Sequence, residues 1–377
     1  EALLNATMRM QADRHVAADF YERSEHRHGY RSGTKDRTLN TALGRLKLNV
    51  PQVRDCEPYH PTFFNRWERS DRALLVACSE MYFQGVSTRR VRDVLESMCG
   101  FGLSAGEVSR VAAEIDEKLT TFRARSLAGR DYVYLIVDAR YEKVRVNGQI
   151  VSQAVLVTAG ISHDGQREIL DWRVCDSESE DSYKQVFRSL KDRGLRGVKL
   201  VVSDAHQGIR AAMDRHMQGT AWQRCRVHFI RELCSKAGSK HYRELAADIK
   251  TVFRAEERSE CLRRAEEMAA KWQSTAPRIA AMLRDGLESC LTVCLLPPEH
   301  RRKLHSTNML ERVMRELKRR TRVVGIFPNA ASCDRLIGAR LMELHEHWQE
   351  AKAYLSMDAL QRTEHRGVLE QLAGAKQ

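Results

Sequence analysis

Two aspartates stand at the ends of apolar runs, where a carboxylate is costly to bury. Asp138 closes the run DYVYLIVD, and Asp204 closes the run VKLVVSD. Asp is a common turn residue after a strand, so one such residue alone is weak evidence. In open α/β sheets, however, ligands bind at the carboxyl ends of the strands. Two aspartates at that edge therefore predict a site for a hard divalent cation, which prefers oxygen ligands.

A third carboxylate, Glu311, lies in the segment HSTNMLERVMRELKRRTRV, which is otherwise basic. Apolar residues recur there at helical spacing and predict a core-facing stripe of Leu310, Val313, Met314 and Leu317. One interpretation of Glu311 is local: Asn308 caps the helix, Glu311 completes a capping box, and Arg315 pairs with Glu311.

The alternative interpretation is that Glu311 joins Asp138 and Asp204 around metal. Three carboxylates can hold two Mg²⁺ ions, which stabilise the attacking and leaving oxygens of an in-line phosphoryl displacement. The basic residues behind Glu311 would then draw a phosphate backbone over the site. On this interpretation the residues that contact DNA are Arg315, Lys318, Arg319, Arg320 and Arg322.

The composition points to a nucleic acid as the partner. The 377 residues include 63 Lys and Arg against 50 Asp and Glu, a formal charge of +13. The isoelectric point near 9.4 is typical of nucleic-acid-binding domains, although a basic surface also suits an anionic membrane or plain solubility. No apolar run is long enough to span a bilayer, and charges interrupt the first residues, so no signal peptide is expected. The ten cysteines follow no regular spacing and are expected to be reduced thiols of a cytosolic protein.

The helical pattern over residues 70–120 predicts three short helices, two of them joined by a turn that contains Gly. That arrangement is typical of a helix-turn-helix, in which Arg89, Arg90 and Arg110 would contact DNA. A plain helical bundle fits the same pattern. In that case the surface that reads DNA would lie in the N-terminal stretch RHGYRSGTKDR or before the first residue.

From about residue 131 the pattern predicts a mixed α/β sheet: three strands, a helix, a strand, a helix and the short strand WQRCRVHF. Residues from about 228 to 300 are helical and highly charged, and the basic helix with Glu311 follows. A last helix carries the apolar stripe Ile337, Leu341, Leu344 and Trp348.

Four stretches in this order resemble the mutator-type transposases of bacterial insertion sequences: DAR at 138–140, SDAHQG at 203–208, CRVH at 225–228 and STNMLERVMRELKRRTRVVGIFPN at 306–329. The upstream pieces YERSEHRHGYRSGT and GVSTRRVRDVLESMCGFGLSAGEVSR resemble the same family, so the resemblance covers almost the whole chain. It implies a ribonuclease-H-like α/β catalytic domain with a DDE triad, here Asp138, Asp204 and Glu311. It also implies two Mg²⁺ or Mn²⁺ ions per active site.

The resemblance also implies an all-helical insertion between the second Asp and the Glu. The expected organisation has five parts. They are a small basic N-terminal region with short strands (1–69), a helix-turn-helix-like DNA-binding domain (70–125), the first part of the catalytic core (126–229), the insertion (230–302), and the second part of the core with C-terminal helices (303–377).

The Cys-x-x-His of the family corresponds to Cys225 and His228. Two residues are at most half of a zinc site, and Cys234 offers a third ligand without a clear fourth. We therefore expect Cys225 to pack in the core and His228 to lie beside the triad, where it contacts DNA or orients a carboxylate. Arg140 and His206, which closely follow the two aspartates, are also predicted to contact DNA.

The expected activity is strand cleavage at the ends of an insertion sequence, followed by attack of the new 3′-OH on target DNA. The resemblance implies a homodimer on paired terminal repeats. No nucleotide cofactor or membrane is expected, and the protein would be cytoplasmic in a bacterium, with the nucleoid when bound to DNA. Two alternatives remain: a ribonuclease-H-like nuclease or junction resolvase, and a transposase-derived regulator without catalysis. The second is disfavoured because all three carboxylates are present.

Overall fold

The computed structural model describes residues 1–18, 25–41, 44–61 and 105–360, together with residues 22, 93 and 96. The chain divides into two compact units, Glu1–Lys118 and Leu119–Gln377. The helices predicted between 70 and 104, with Arg89 and Arg90, lie outside the described residues, whereas Arg110 is half-buried on the helix Ala105–Ala124.

The N-terminal unit contains a helix and an antiparallel hairpin. Its small core joins Met8 of the helix to Leu39, Leu48 and Val50 of the hairpin. The helix was missed by the sequence analysis because its buried residues, Met8, Ala12 and Val16, give only one apolar position per turn. The strands are also longer than predicted. These elements are α1 (Ala2–Val16), β1 (Tyr30–Thr41) and β2 (Gly44–Arg54), and the helix Ala105–Ala124 is called α2.

The second unit is built on a five-stranded sheet in the order β5-β4-β3-β6-β7. The first three strands in the chain form an antiparallel meander, and the last two run parallel to β3. The predicted mixed α/β architecture is thus confirmed. The strands are β3 (Tyr132–Val146), β4 (Gln149–Ser162), β5 (Arg167–Cys175), β6 (Leu200–Ser203) and β7 (Ala221–Arg224).

One face of the sheet is covered by two helices, α3 (Glu180–Asp192) and α4 (Gln207–His216). Tyr183, Phe187 and Ile209 of these helices pack with Leu135 and Val137 of β3 in one apolar cluster. Side chains alternate along a strand, so Asp138 belongs to the other face, as Arg140 and Glu142 do.

The segment after β7 folds as a helical body with its own core. The strand predicted for WQRCRVHF is wrong in its second half, because β7 ends at Arg224 and a helix begins at Arg226. This core buries Leu245, Ile249 and Trp272, and the predicted helical character of the segment is confirmed. The helices are α5 (Arg226–Lys236), α6 (Gly238–Phe253), α7 (Arg258–Gln273), α8 (Pro277–Gly286) and α9 (Pro298–Leu304), with 3-10 turns at Glu288–Cys290 and Thr292–Leu295.

Two long helices follow, α10 (Asn308–Val324) and α11 (Ala330–Glu350). As predicted, Leu310, Val313 and Leu317 are buried, whereas Met314 is half-buried. After α10 the chain returns to the sheet at Phe327. There the Arg145 amide donates 2.9 Å to the Phe327 carbonyl, and the Phe327 amide donates 2.9 Å to the Lys143 carbonyl.

Helix α11 packs on β5 and β3, on the face opposite α3 and α4. Its predicted stripe is buried at Ile337, Leu341 and Trp348 and half-buried at Leu344. Among the described residues, no helix is both long and apolar enough to cross a membrane.

The close approach of α11 to the sheet depends on Gly338. A Cβ on Gly338 would lie 2.6 Å from the Trp172 ring and 2.8 Å from a Leu119 methyl. Ala is favoured over Gly in a helix by about 1 kcal/mol, but Trp172 is fully buried and its Nε1 donates 3.0 Å to Asp334, so the ring cannot move freely.

We therefore expect Gly338→Ala to lower the free energy of unfolding by about 1–3 kcal/mol, because overpacking outweighs the gain in helix propensity. Urea denaturation followed by circular dichroism measures the change. Gly129→Ala is the matched control, since a Cβ there has no atom within 4 Å. A Gly338→Ala protein as stable as this control would contradict the packing argument.

Candidate active site

Asp138 and Asp204 lie side by side because β3 and β6 are parallel neighbours. Ile136 pairs in register with Val202, so the two aspartates sit at the same level, two residues further along each strand. The Asp138 side chain accepts a hydrogen bond of 3.0 Å from the Ala139 amide, and Asp204 accepts one of 3.2 Å from the His206 amide. The strand pattern thus brings the first two predicted carboxylates together.

The electrostatic environment of Asp138 includes both of the other predicted carboxylates. Only 8% of Asp138 is exposed. Its pKa is raised to about 7, first by burial and then by the negative charges of Asp204 and Glu311, while His228 opposes the shift. A carboxyl group with this pKa is partly protonated near neutral pH, mainly because its buried charge is poorly solvated.

Glu311 is directed at this cluster and not at its own helix. Helix α10 starts at Asn308 with Thr307 in the capping position, and the Thr307 side chain makes no capping hydrogen bond. The local capping-box interpretation, with Asn308 as the cap, is therefore wrong. Glu311 Oε1 lies 3.5 Å from His228 Nε2 and 3.6 Å from Arg231 Nη2. The same oxygen is buried and has no hydrogen-bond partner among the described residues.

One side of α5 contacts the first turn of α10, the helix that carries Glu311. Cys225, His228 and Arg231 are spaced by three residues and so line the same side of α5. Cys225 is fully buried, and its sulfur accepts hydrogen bonds from the Thr307 amide at 3.3 Å and the Thr307 hydroxyl at 3.5 Å. The Cys225 amide donates 2.7 Å to the carbonyl of Ser203, the residue before Asp204. Cys225 thus joins the end of β6 to the start of α10.

The Cys225 and His228 side chains interact directly. The hydrogen bond with Cys225 is the main cause that raises the pKa of His228 to about 9, against the effect of burial, and Asp138 and Asp204 add to the rise. For Cys225, burial favours the neutral thiol, but His228 and the Thr307 amide outweigh it and lower the thiol pKa. His228 is therefore a cation facing three carboxylates.

The donor atoms of the site suit a hard cation better than zinc. Three carboxylates supply oxygen ligands, and Glu311 Oε1 is a buried acceptor without a hydrogen bond. The Cys225 sulfur is engaged by Thr307, and Cys234 packs in the core of the helical segment. Among the described residues, no three His, Cys, Asp or Glu side chains are already positioned around an ion. The chemistry of the donors fits Mg²⁺ or Mn²⁺, but the ligands are not preassembled.

Arg140 does not have the role that the sequence analysis predicted. Its guanidinium donates 2.7 Å to the Met314 carbonyl of α10 and lies 2.6 Å from Glu142, and only 15% of the side chain is exposed. It fastens α10 to β3 and is not free to bind DNA. His206 caps α4, because its Nδ1 accepts from the Gly208 amide at 3.1 Å.

The predicted basic residues of α10 divide into two groups. Arg319 and Arg320 lie 2.8 and 3.7 Å from Glu316 of the same helix, so their charge is partly offset. Arg315, Lys318 and Arg322 are exposed and have no ion-pair partner within the described part of the chain. They share one face of α10 with Glu311. A basic face without ion pairs in the described residues thus lies on the same side of α10 as Glu311.

Sequence reasoning missed two residues of the site, Arg231 and Thr307. The sequence analysis predicted a strand up to residue 229, and residues 225, 228 and 231 do not all lie on one face of a strand. Arg231 was therefore not recognised as a neighbour of His228 and Glu311. A helix start at Arg226 would have revealed the spacing. Thr307 could not be found locally, since its partner Cys225 is 82 residues away.

Comparison with known proteins identifies the chain at the level of family. The family model described as "Transposase, Mutator family" matches residues 1–351. The transposase for insertion sequence element ISRM5 of Rhizobium meliloti is 42% identical, over 95% of this chain and 89% of the relative. The transposases for IS406 of Burkholderia multivorans and for IS256 of Staphylococcus aureus are 40% and 34% identical, each over 94% of this chain and 92% of the relative.

The chain therefore belongs to the mutator family of transposases, and the family predicted from the sequence is confirmed. Among solved structures, it resembles the Drosophila P element transposase strand transfer complex with 9% identity and a TM-score of 0.33, over 80% of this chain and 84% of the other. A TM-score this low supports no conclusion about fold or function.

The contact between Cys225 and Thr307 leads to a prediction. Cys225→Ala removes the acceptor of two hydrogen bonds at the start of α10, so Glu311 should lose its position. We expect DNA cleavage to slow by about 10- to 100-fold, the range found when residues behind a metal ligand are changed. DNA affinity, measured by fluorescence anisotropy, should stay unchanged. Cys225→Ser should restore part of the rate, because its hydroxyl can still accept from the Thr307 amide.

Cys290→Ala is the matched control, since Cys290 is also fully buried but lies in the core of the helical segment. It should lower the melting temperature without slowing cleavage. An equal loss of rate in both variants would show that Cys225 acts only through general stability.

Proposed function

We propose that this chain is the transposase of an insertion sequence and that Asp138, Asp204 and Glu311 form its DDE triad. The enzyme would cut at the element ends and join the resulting 3′-OH to target DNA. The observation that carries this proposal is the shared electrostatic field, in which Asp204 and Glu311 both raise the pKa of the buried Asp138. Such clusters of perturbed titratable groups mark catalytic sites.

The catalytic domain is proposed to be ribonuclease-H-like. The sheet order β5-β4-β3-β6-β7, with β4 antiparallel to its neighbours, is the order expected of such a domain and supports the assignment. Asp138 on the central strand and Asp204 after the next strand then fall at the edge where ligands bind. The helical body between β7 and α10 supports an insertion at about 230–302, with the core continuing at 303–377.

The proposed cofactor is Mg²⁺ or Mn²⁺, two ions held by Asp138, Asp204 and Glu311. Bound ions would supply activation of the attacking oxygen and charge stabilisation at the leaving oxygen. The chain itself provides oxygen ligands of the right kind. A bound cation would offset the cost of burying the Asp138 carboxylate, the main cause that raises its pKa to about 7.

The residues around the triad would hold it in place and limit repulsion of the substrate. His228 lies beside Glu311 with its pKa raised to about 9, so it carries positive charge at neutral pH. Arg231 contacts the same carboxylate from the exposed side, with 65% of its side chain in solvent. Both residues offset the charge of Glu311 and orient it towards Asp138.

The DNA backbone is proposed to run along the exposed face of α10. Arg315, Lys318 and Arg322 are exposed and form no salt bridge in the described part of the chain, so they remain available to phosphates. In the helical segment, Arg263 and Lys271 are less available, because they are paired with Glu260, Glu267, Glu244 and Asp248. The basic residues of α10 are distinguished by sharing a helix face with Glu311. A homodimer that holds both element ends completes the proposal.

The function is tested with DNA that carries the ends of the element encoding this chain. Asp138→Ala, Asp204→Ala and Glu311→Ala should each abolish cleavage and joining, with DNA binding largely kept, since each removes a metal ligand and no phosphate contact. Gel mapping of products in Mg²⁺, and after EDTA, measures the effect. Asp214→Ala on the exposed side of α4 is the control and should be fully active.

Near wild-type cleavage by any triad variant would remove that residue from the site. Cut products without joined products from the unmodified protein would favour a nuclease or resolvase over a transposase. Activity that survives EDTA would contradict the metal proposal.

The exposed basic residues of α10 lead to a further prediction. Neutralising Arg315, Lys318 and Arg322 together should weaken binding to all duplexes about equally, because phosphate contacts carry no sequence information. The slope of log K against log salt should fall by about one unit for each lost contact. A salt titration by fluorescence anisotropy, on element-end and shuffled duplexes, measures both effects.

The control removes the same charge from the helical segment through Arg263→Ala, Arg264→Ala and Lys271→Ala. These side chains are already paired with acids, so binding should change much less. A loss of affinity as large as in the α10 variant would mean that net charge, and not a defined DNA path, controls binding.

A further inference from the structure

The N-terminal hairpin presents a basic, polar face away from its core. Strands β1 and β2 pair with Leu39 opposite Leu46, and these apolar residues face α1. Because side chains alternate along a strand, the neighbouring pairs share the other face. That outer face carries the cross-strand pairs Thr38–Lys47, Asn40–Arg45 and Asp36–Asn49.

The charge of this hairpin is strongly one-sided. Its two strands contain six basic residues, Arg31, Lys35, Arg37, Arg45, Lys47 and Arg54, against one acid, Asp36. Arg31 is paired with Asp13. Arg45 and Lys47, which lie on the outer face, are exposed and have no ion-pair partner among the described residues. This face therefore offers free cations beside amide and hydroxyl groups.

The hairpin is held firmly on α1. Glu1 Oε1 accepts 2.8 Å from the Lys47 amide, and Asn5 Oδ1 accepts 2.9 Å from the Asn49 amide, so α1 side chains satisfy amides of β2 that β1 does not use. Apolar packing of Met8 against Leu48 and Val50 fixes the inner face. A ribbon mounted in this way keeps its outer side chains in a fixed array.

We propose that the outer face of the hairpin enters the major groove of duplex DNA and reads the element ends. The major groove admits a two-stranded β-ribbon, and Arg, Asn and Thr are side chains that recognise base edges there. The positive charge of this face fits a polyanion, and the two-stranded shape favours the major groove of DNA over an acidic protein surface. The proposal rests on the function proposed above and adds a second recognition surface, in the N-terminal unit.

Binding is measured without divalent ions, so that cleavage plays no part. The full chain with Arg45→Ala and Lys47→Ala is titrated with an element-end duplex, a shuffled duplex and double-stranded RNA of the element-end sequence. The ratio of affinities between element-end and shuffled DNA should fall by about tenfold or more. Double-stranded RNA should bind weakly, since its deep, narrow major groove does not admit such side chains.

The control variant, Arg9→Ala with Arg14→Ala, removes the same charge from exposed positions of α1 and should keep the ratio. Thr38→Val changes no charge and should lower the ratio while the salt slope stays constant. Thermal melting confirms that each variant folds.

An unchanged ratio in the Arg45 and Lys47 variant would overturn the proposal, as would equal binding of RNA and DNA. Full loss of discrimination on changing Arg89 and Arg90, with none on changing the hairpin, would place end recognition elsewhere. A separate assay measures whether the hairpin variant still joins pre-cut ends. Joining tests the proposed triad, whereas the ratio of affinities tests the hairpin, so the two proposals can fail independently.

Discussion

Mutual repulsion among three carboxylates is the constraint on which the second unit depends. The register of two parallel strands places Asp138 beside Asp204, and a helix from far along the chain adds Glu311. His228 and Arg231 offset part of this charge. Burial is the main cause that raises the pKa of Asp138 to about 7, and Asp204 and Glu311 add to the rise. The fold therefore brings these carboxylates near one another, but among the described residues they are not preassembled around an ion.

Holding Glu311 against this repulsion requires its helix to be fixed along its length. Cys225 binds the backbone at the start of α10, Arg140 binds the Met314 carbonyl in the middle, and Phe327 pairs with β3 after the end. The Cys225 contact joins α10 to the start of α5, and the other two contacts join α10 and the residues after it to β3. A carboxylate on a helix anchored at three points keeps its place without a strong hydrogen bond of its own.

The distribution of charge separates structural cations from those available to a ligand. Among the arginines, Arg263, Arg284 and Arg140 are engaged by carboxylates or a carbonyl. Those on the exposed face of α10 and on the outer face of the N-terminal hairpin have no such partners in the described part of the chain. Net charge alone would not distinguish these groups, because ion pairing decides which cations can bind phosphate.

The sequence by itself determined the family through its motifs, and it determined most elements of the second unit, since apolar runs and helical spacing report burial directly. It placed Asp204 after a short strand and Glu311 on an amphipathic helix, but Asp138, predicted to end a strand, lies in the middle of β3, which continues to Val146. Only the tertiary structure decided what these residues touch. The contact of Cys225 with the start of α10, 82 residues away, and the use of Arg140 as an anchor depend on how distant segments pack. Local patterns carry no record of such partners, because periodicity fixes which face is buried and not what lies against it.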